Sequence, residues 1–101
     1  MNDKRKISRR RVLKVGKIVY PDGLRVLDCT IRDMSKDGAR LIIGSTIGVP
    51  DSFFLYEQAS GMLYPASAIW RQPKSLGIRF DGEPSSIDDP VNKRFSRLKF
   101  V

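Results

Sequence analysis

Five residues carry most of the chemistry this sequence can do: Arg5 and Arg9, spaced Arg-x-x-x-Arg, and Asp33, Ser35 and Gly38, spaced Asp-x-Ser-x-x-Gly. Residues four apart share a side in a strand and in a helix, so Arg5 and Arg9 can face one ligand in either conformation. Each guanidinium can fork onto a phosphate or onto O6 and N7 of a guanine. Asp33 offers an ionised acceptor for the N1 and N2 protons on guanine's other edge. Ser35, two residues on, shares its face in an extended segment. Gly38 would let the backbone turn at positive φ, or approach a ligand with no Cβ in the way. The set suits a guanine nucleotide with exposed phosphates.

Each motif also has a plainer meaning. In a chain this rich in arginine an Arg-x-x-x-Arg arises about once by chance and usually marks a solvated basic arm. A turn between strands selects Asp, Ser and Gly for backbone bonding without any ligand. What separates the readings is the order and separation of the motifs, and therefore the elements that hold them.

Those elements read as short strands. Val12 to Tyr20 is rich in β-branched residues, and Pro21-Asp22-Gly23 supplies a fixed φ, an Asx acceptor and a positive-φ position for a reversal. In the next strand, about Leu24 to Arg32, Leu27, Cys29 and Ile31 share one face while Asp28, Thr30 and Arg32 face away. Asp33 to Gly38 breaks the alternation before Ala39 to Ile43 resumes it, and Gly44, Gly48 and Pro50 mark a longer connection. Ser52 to Gln58 sets Phe53 and Leu55 against Phe54 and Tyr56, so both of its faces should be covered. Met62 to Arg71 follows, with Pro65 demoting part of it to an edge or bulge, and then Leu76 to Phe80. Six strands with close turns and no helix between them predict an all-β antiparallel barrel or sandwich. At the end, Asp88 or Asp89 can cap, Pro90 suits the first helical position, and Val91, Phe95 and Leu98 recur at helical spacing. The division expected is a flexible basic arm over residues 1–11, a barrel over 12–80, and a polar connector with a short helix over 81–101.

Composition narrows the function. A chain of 101 residues supports one compact domain, and a formal net charge of +8 attracts a polyanion, a nucleotide or an acidic membrane surface. Histidine is absent and Cys29 is the single cysteine, so neither a disulfide within the chain nor a Cys/His metal site can form. Cys29 is expected to pack as a small apolar residue, in a reducing, cytoplasmic setting. Lys14 and Lys17 interrupt any apolar run after the basic start, so neither an export signal nor a membrane span is expected. Nucleophilic or metal-assisted catalysis has no evident set of parts, and an enzyme is not expected.

An Arg-x-x-x-Arg arm, then two strands, then Asp/Asn-x-Ser-x-x-Gly opening a third, resembles the PilZ domain, a bacterial receptor for cyclic di-GMP. Ala68-Ile-Trp70-Arg71 followed by Leu76-Gly77-Ile78-Arg79-Phe80 is similar to that family's closing strands, so the resemblance runs from Lys4 to Phe80. It implies a six-stranded antiparallel β-barrel followed by a helix. It also implies that Arg5 and Arg9 grip the phosphates and guanine N7/O6 of cyclic di-GMP, that Asp33 and Ser35 bond a guanine edge, and that Gly38 shapes the loop. Lys4 stands where many members carry another arginine, and Ala39 where a second glycine is frequent. Lys4, Arg10 and Trp70 are secondary contacts on this reading, although a lone Trp on an apolar strand more often packs in the core.

The expected ligand is cyclic di-GMP, with no cofactor or metal. The expected mechanism is an arm that is mobile when free, folds over the barrel's edge as ligand phosphates relieve its self-repulsion, and so signals to a downstream protein. Motility or exopolysaccharide control would be typical outputs. Two rivals stand beside it: a PilZ-like adaptor that works through protein contacts alone, and, more weakly, a basic barrel that binds single-stranded nucleic acid.

Overall fold

The computed structural model describes residues 10–100, with side chains from residue 12 onward. Seven strands follow in chain order: β1 (Arg10–Val19), β2 (Val26–Met34), β3 (Gly38–Ile42), β4 (Ser52–Glu57), β5 (Met62–Gln72), β6 (Ser75–Phe80) and the short β7 (Ser85–Ser86). Their pairings are all antiparallel in the order β4-β1-β2-β3-β6-β5, and β4 pairs back to β5, which closes a six-stranded barrel. β1 starts at Arg10, so the last two residues of the expected arm belong to the barrel. The connector after β6 is not wholly irregular, because Ser85 and Ser86 pair with Leu63 and Met62.

Turn chemistry explains the first hairpin. The Asp22 carboxylate accepts the Leu24 N–H at 2.8 Å, and Gly23 takes φ +77°, a conformation costly for any residue with a Cβ. Inside the barrel, Ile18, Ile31, Leu41, Leu55 and Leu76 are fully buried with Cys29 beside them, each large side chain contributing roughly 1.5–3 kcal/mol. Burial pushes the Cys29 thiol up to about 12, so it is a packing group and not a reactive thiolate. Pro65 sits where β5 changes partners, between its pairing with β7 and its pairing with β6. Its carbonyl accepts the Asp81 N–H on the side where its own N–H is missing.

β4 serves two cores. Phe53 and Leu55 point into the barrel, while Phe54 and Tyr56 point out to a second cluster with Val19, Leu63, Ile87, Phe95 and Leu98. The second cluster is covered by the expected short C-terminal helix, Pro90–Phe100, which is of 3₁₀ type and kinks at Asn92, where φ is −100° and ψ 19°. Its buried residues are Asn92, Phe95 and Leu98, so Phe95 and Leu98 of the expected stripe pack inward while Val91 is 66% exposed. The buried Asn92 amide donates to Ser85 Oγ at 2.8 Å and to the Ser86 carbonyl at 2.7 Å, tying the helix to β7. Asp89 does cap, accepting the Val91 N–H at 3.0 Å.

Candidate functional site

Two β-bulges decide what the outer face presents. In β2 the register against β3 shifts between Ile31 and Asp33, and in β5 the register against β6 shifts between Ala68 and Trp70. Simple alternation would place Asp33 inward after Cys29 and Ile31, and Trp70 inward after Ala66 and Ala68. One extra residue in each strand reverses that, turning Met34 toward the core and both Asp33 and Trp70 outward. Trp70 is 38% exposed, so the expectation of a core tryptophan is corrected.

The two bulges bring those residues into one row across the barrel. Asp33 pairs with Arg40, Arg40 with Gly77, and Gly77 with Trp70, over three strand spacings or roughly 14 Å. Arg40 Nε donates to Asp33 Oδ2 at 2.8 Å, which fixes the carboxylate's orientation, and Asp33 retains 15% side-chain exposure. The Trp70 indole covers Gly77, where a Cβ would come within 2.1 Å of Nε1. The row is therefore an acid, a guanidinium and an aromatic surface in sequence. Arg79, beside it on β6, is exposed and donates to Asp81 at 2.9 Å.

Ser35 lies past the end of β2, in the turn leading to β3. Its N–H donates to the Gly38 carbonyl at 2.9 Å and its Oγ accepts the Asp37 N–H at 3.1 Å, so Ser35 performs the turn chemistry expected of it. Gly38 does not have positive φ. A Cβ there would stand 2.1 Å from the Ile78 carbonyl oxygen, so glycine is required by the close approach of β6 and not by a left-handed turn. Ser35 faces an open cleft of ≈ 680 Å³ at the barrel's end, lined also by Val12, Lys14, Met34, Tyr64 and Phe80; Asp33 is outside that lining. The structure thus places Asp33 on the outer face and Ser35 at the cleft, on either side of Met34.

Beneath the cleft lies a carboxylate that sequence reasoning passed over. Glu57 is 4% exposed and accepts hydrogen bonds from Lys14 Nζ (2.6 Å), Ser60 Oγ (2.8 Å) and Tyr64 OH (3.2 Å). Burial pushes its carboxyl up, but the bonds from Lys14 and Ser60, the Lys14 charge and the Tyr64 hydroxyl together outweigh it and hold it below its ordinary value. Burial and the neighbouring Glu57 charge push the Tyr64 hydroxyl up to about 12. Arg40 was missed as well, although its place between the inward Ala39 and Leu41 is a signal for an outward cation beside Asp33.

Arg5, Arg9 and Lys4 lie outside the described residues, as does the side chain of Arg10. The Arg10 backbone is described, and it pairs with Met34, between Asp33 and Ser35. Among the described residues no group of acids and cysteine is arranged to hold a metal ion, and no helix is long and apolar enough to cross a membrane. Comparison of the chain with known protein families and with curated proteins gives no match.

Proposed function

We propose that this chain is a PilZ-like receptor for cyclic di-GMP that answers ligand by repositioning its basic arm and so signals to a partner protein. The observation that carries the reading is the β1–β2 register: Arg10 pairs with Met34, so the chain segment bearing Arg5 and Arg9 joins the barrel between Asp33 and Ser35. Arg9 is one peptide unit from that point, and Arg5 is within roughly 18 Å of it along the chain. Both guanidiniums can therefore reach phosphates held over the Asp33–Arg40 row. In this reading Asp33 accepts from a guanine edge, Arg40 holds Asp33 in place, and Trp70 offers a face for stacking. The Ser35 oxygen shapes the turn by accepting from Asp37, and its hydroxyl, whose contact with the Gly38 carbonyl is long at 3.5 Å, would turn its proton to the ligand.

Calorimetry with cyclic di-GMP on the wild type and on Arg9→Ala tests the proposal. Saturable heat in the wild type and its loss in the variant is the expected result. Heat that survives in Arg9→Ala moves the site elsewhere. No heat in the folded wild type leaves the protein-contact adaptor as the better reading.

A further inference from the structure

A second surface lies at the other end of β1, nine residues from Arg10 and so roughly 30 Å from the arm's attachment. There a groove of ≈ 230 Å³ runs between the β1–β2 hairpin and the 3₁₀ helix. Its floor is Val19, Phe95 and Leu98, all buried, and its hairpin wall is Leu24 and Val26, which are 73% and 40% exposed. Its other rim carries Arg94 and Arg97, and no carboxylate lines it.

Neither arginine of the rim is neutralised by a carboxylate among the described residues. Lys14, Lys17, Arg40, Arg71, Arg79 and Lys99 each pair with a carboxylate, whereas among the described residues Arg94 and Arg97 have no ion pair, as is also true of Arg25, Arg32, Lys36, Lys74 and Lys93, which do not line the groove. Arg94 is nevertheless held in position. Its guanidinium stacks 4.2 Å from the Phe95 ring centre, and its Nε points to the Pro21 carbonyl at 3.4 Å. The terminal nitrogens of a guanidinium fixed in this way stay available as donors with little further loss of freedom. An apolar slot large enough for one or two side chains, edged by two unneutralised arginines of which Arg94 is oriented, is complementary in charge and shape to an acidic segment with apolar anchors.

We infer that the groove between the β1–β2 hairpin and the C-terminal helix docks a short acidic peptide segment of a partner protein, with an apolar side chain on Phe95 and Leu98 and carboxylates on Arg94 and Arg97. The inference is independent of the nucleotide site, which lies at the opposite end of β1.

A phage-displayed library of short random peptides, selected on the full chain, provides the test. Enrichment of sequences that combine Leu, Phe or Met with flanking Asp or Glu is expected, and their affinity should fall at least about tenfold on Arg97→Glu or Leu24→Asp. The same charge change at Lys74→Glu, on the β5–β6 turn, should leave it unchanged. Amide shifts on peptide addition should fall on Leu24, Val26, Arg97 and Leu98. Because Leu24, Arg97 and Lys74 are exposed, these variants keep the fold, and circular dichroism verifies it. The inference is overturned by no enrichment, by enriched peptides lacking acidic residues, by equal loss in Lys74→Glu, or by shifts at the Asp33–Trp70 row. Phosphatidylglycerol vesicles that bind with the same variant pattern, while peptides do not, would assign the surface to lipid instead.

Discussion

Glu57 and Asp33 each face a cation from a neighbouring strand, yet they do opposite things. Glu57 is buried, and Lys14, Ser60 and Tyr64 donate to it from three separate segments of the chain. Asp33 is partly open and has one partner among the described residues, Arg40. The difference shows how one fold fills the lone pairs of one carboxylate and leaves those of another partly free. A buried acid must have its lone pairs filled by the protein, while an acid at the surface needs only enough bonding to fix its direction.

The largest effect should come from breaking the filled site. Glu57→Ala removes a common acceptor and leaves Tyr64 OH and Ser60 Oγ without it, and β1 loses its side-chain tie to β4. A loss of about 3 kcal/mol in urea unfolding is expected. A loss below about 1 kcal/mol would mean that solvent already shares the site, and the contrast with Asp33 would collapse.

Two glycines near the contact row sharpen the comparison next. At Gly38 an added methyl meets a backbone carbonyl of β6, which can yield only if strand pairing shifts. At Gly77 it meets the Trp70 indole, a half-exposed side chain that can swing away. Gly38→Ala should cost about 2 kcal/mol or more, and Gly77→Ala about 1 kcal/mol. Trp70 fluorescence should shift in Gly77→Ala and hold steady in Gly38→Ala. Equal costs would show that the indole is as immovable as backbone.

Acid and alkali titrations reach the filled site through two of its members, Glu57 and Tyr64. The Glu57 carboxyl is held below its ordinary 4.5, so its contribution is complete above that value and is lost as pH falls toward the lower folded value. The Tyr64 hydroxyl is raised from 10 to about 12, so its contribution is complete below pH 10 and is lost as pH rises from there toward 12. Glu57→Gln should flatten the acid limb of a stability profile, and Tyr64→Phe the alkaline limb. An unchanged acid limb in Glu57→Gln would assign acid unfolding to another carboxylate.

The fold was open to sequence reasoning because alternation, turn residues and the double-faced strand β4 all pointed the same way. Gly23 at positive φ, Phe53 and Leu55 opposite Phe54 and Tyr56, and the Asp89 cap follow directly from residue type. The contact face was not legible in the same way. Alternation counts Asp33 and Trp70 inward, and only the bulges in β2 and β5, set by pairing across strands far apart in sequence, turn them out. The C-terminal helix was legible too, but the burial of Asn92 in place of Val91 was not, since Ser85 and Ser86 from the connector accept its amide. Glu57 looked like an ordinary strand-end acid until Lys14, Ser60 and Tyr64 were brought to it.

The smallest stability effect belongs to the contact row, and it separates contact from structure most sharply. Asp33→Ala removes a pair whose arginine is partly exposed and can turn to water, so unfolding should change by about 0.5 kcal/mol or less. If Asp33 accepts from a guanine edge as proposed, cyclic di-GMP affinity should nonetheless fall about tenfold or more, the cost of losing a hydrogen bond to a charged group. Arg40→Ala should weaken binding less, since it removes the group that orients the acceptor and leaves the acceptor itself. If instead Asp33→Ala destabilises the chain as strongly as Glu57→Ala and leaves nucleotide affinity untouched, Asp33 is a structural acid like Glu57. The motif would then be a turn, and the outer row would have to serve some other contact.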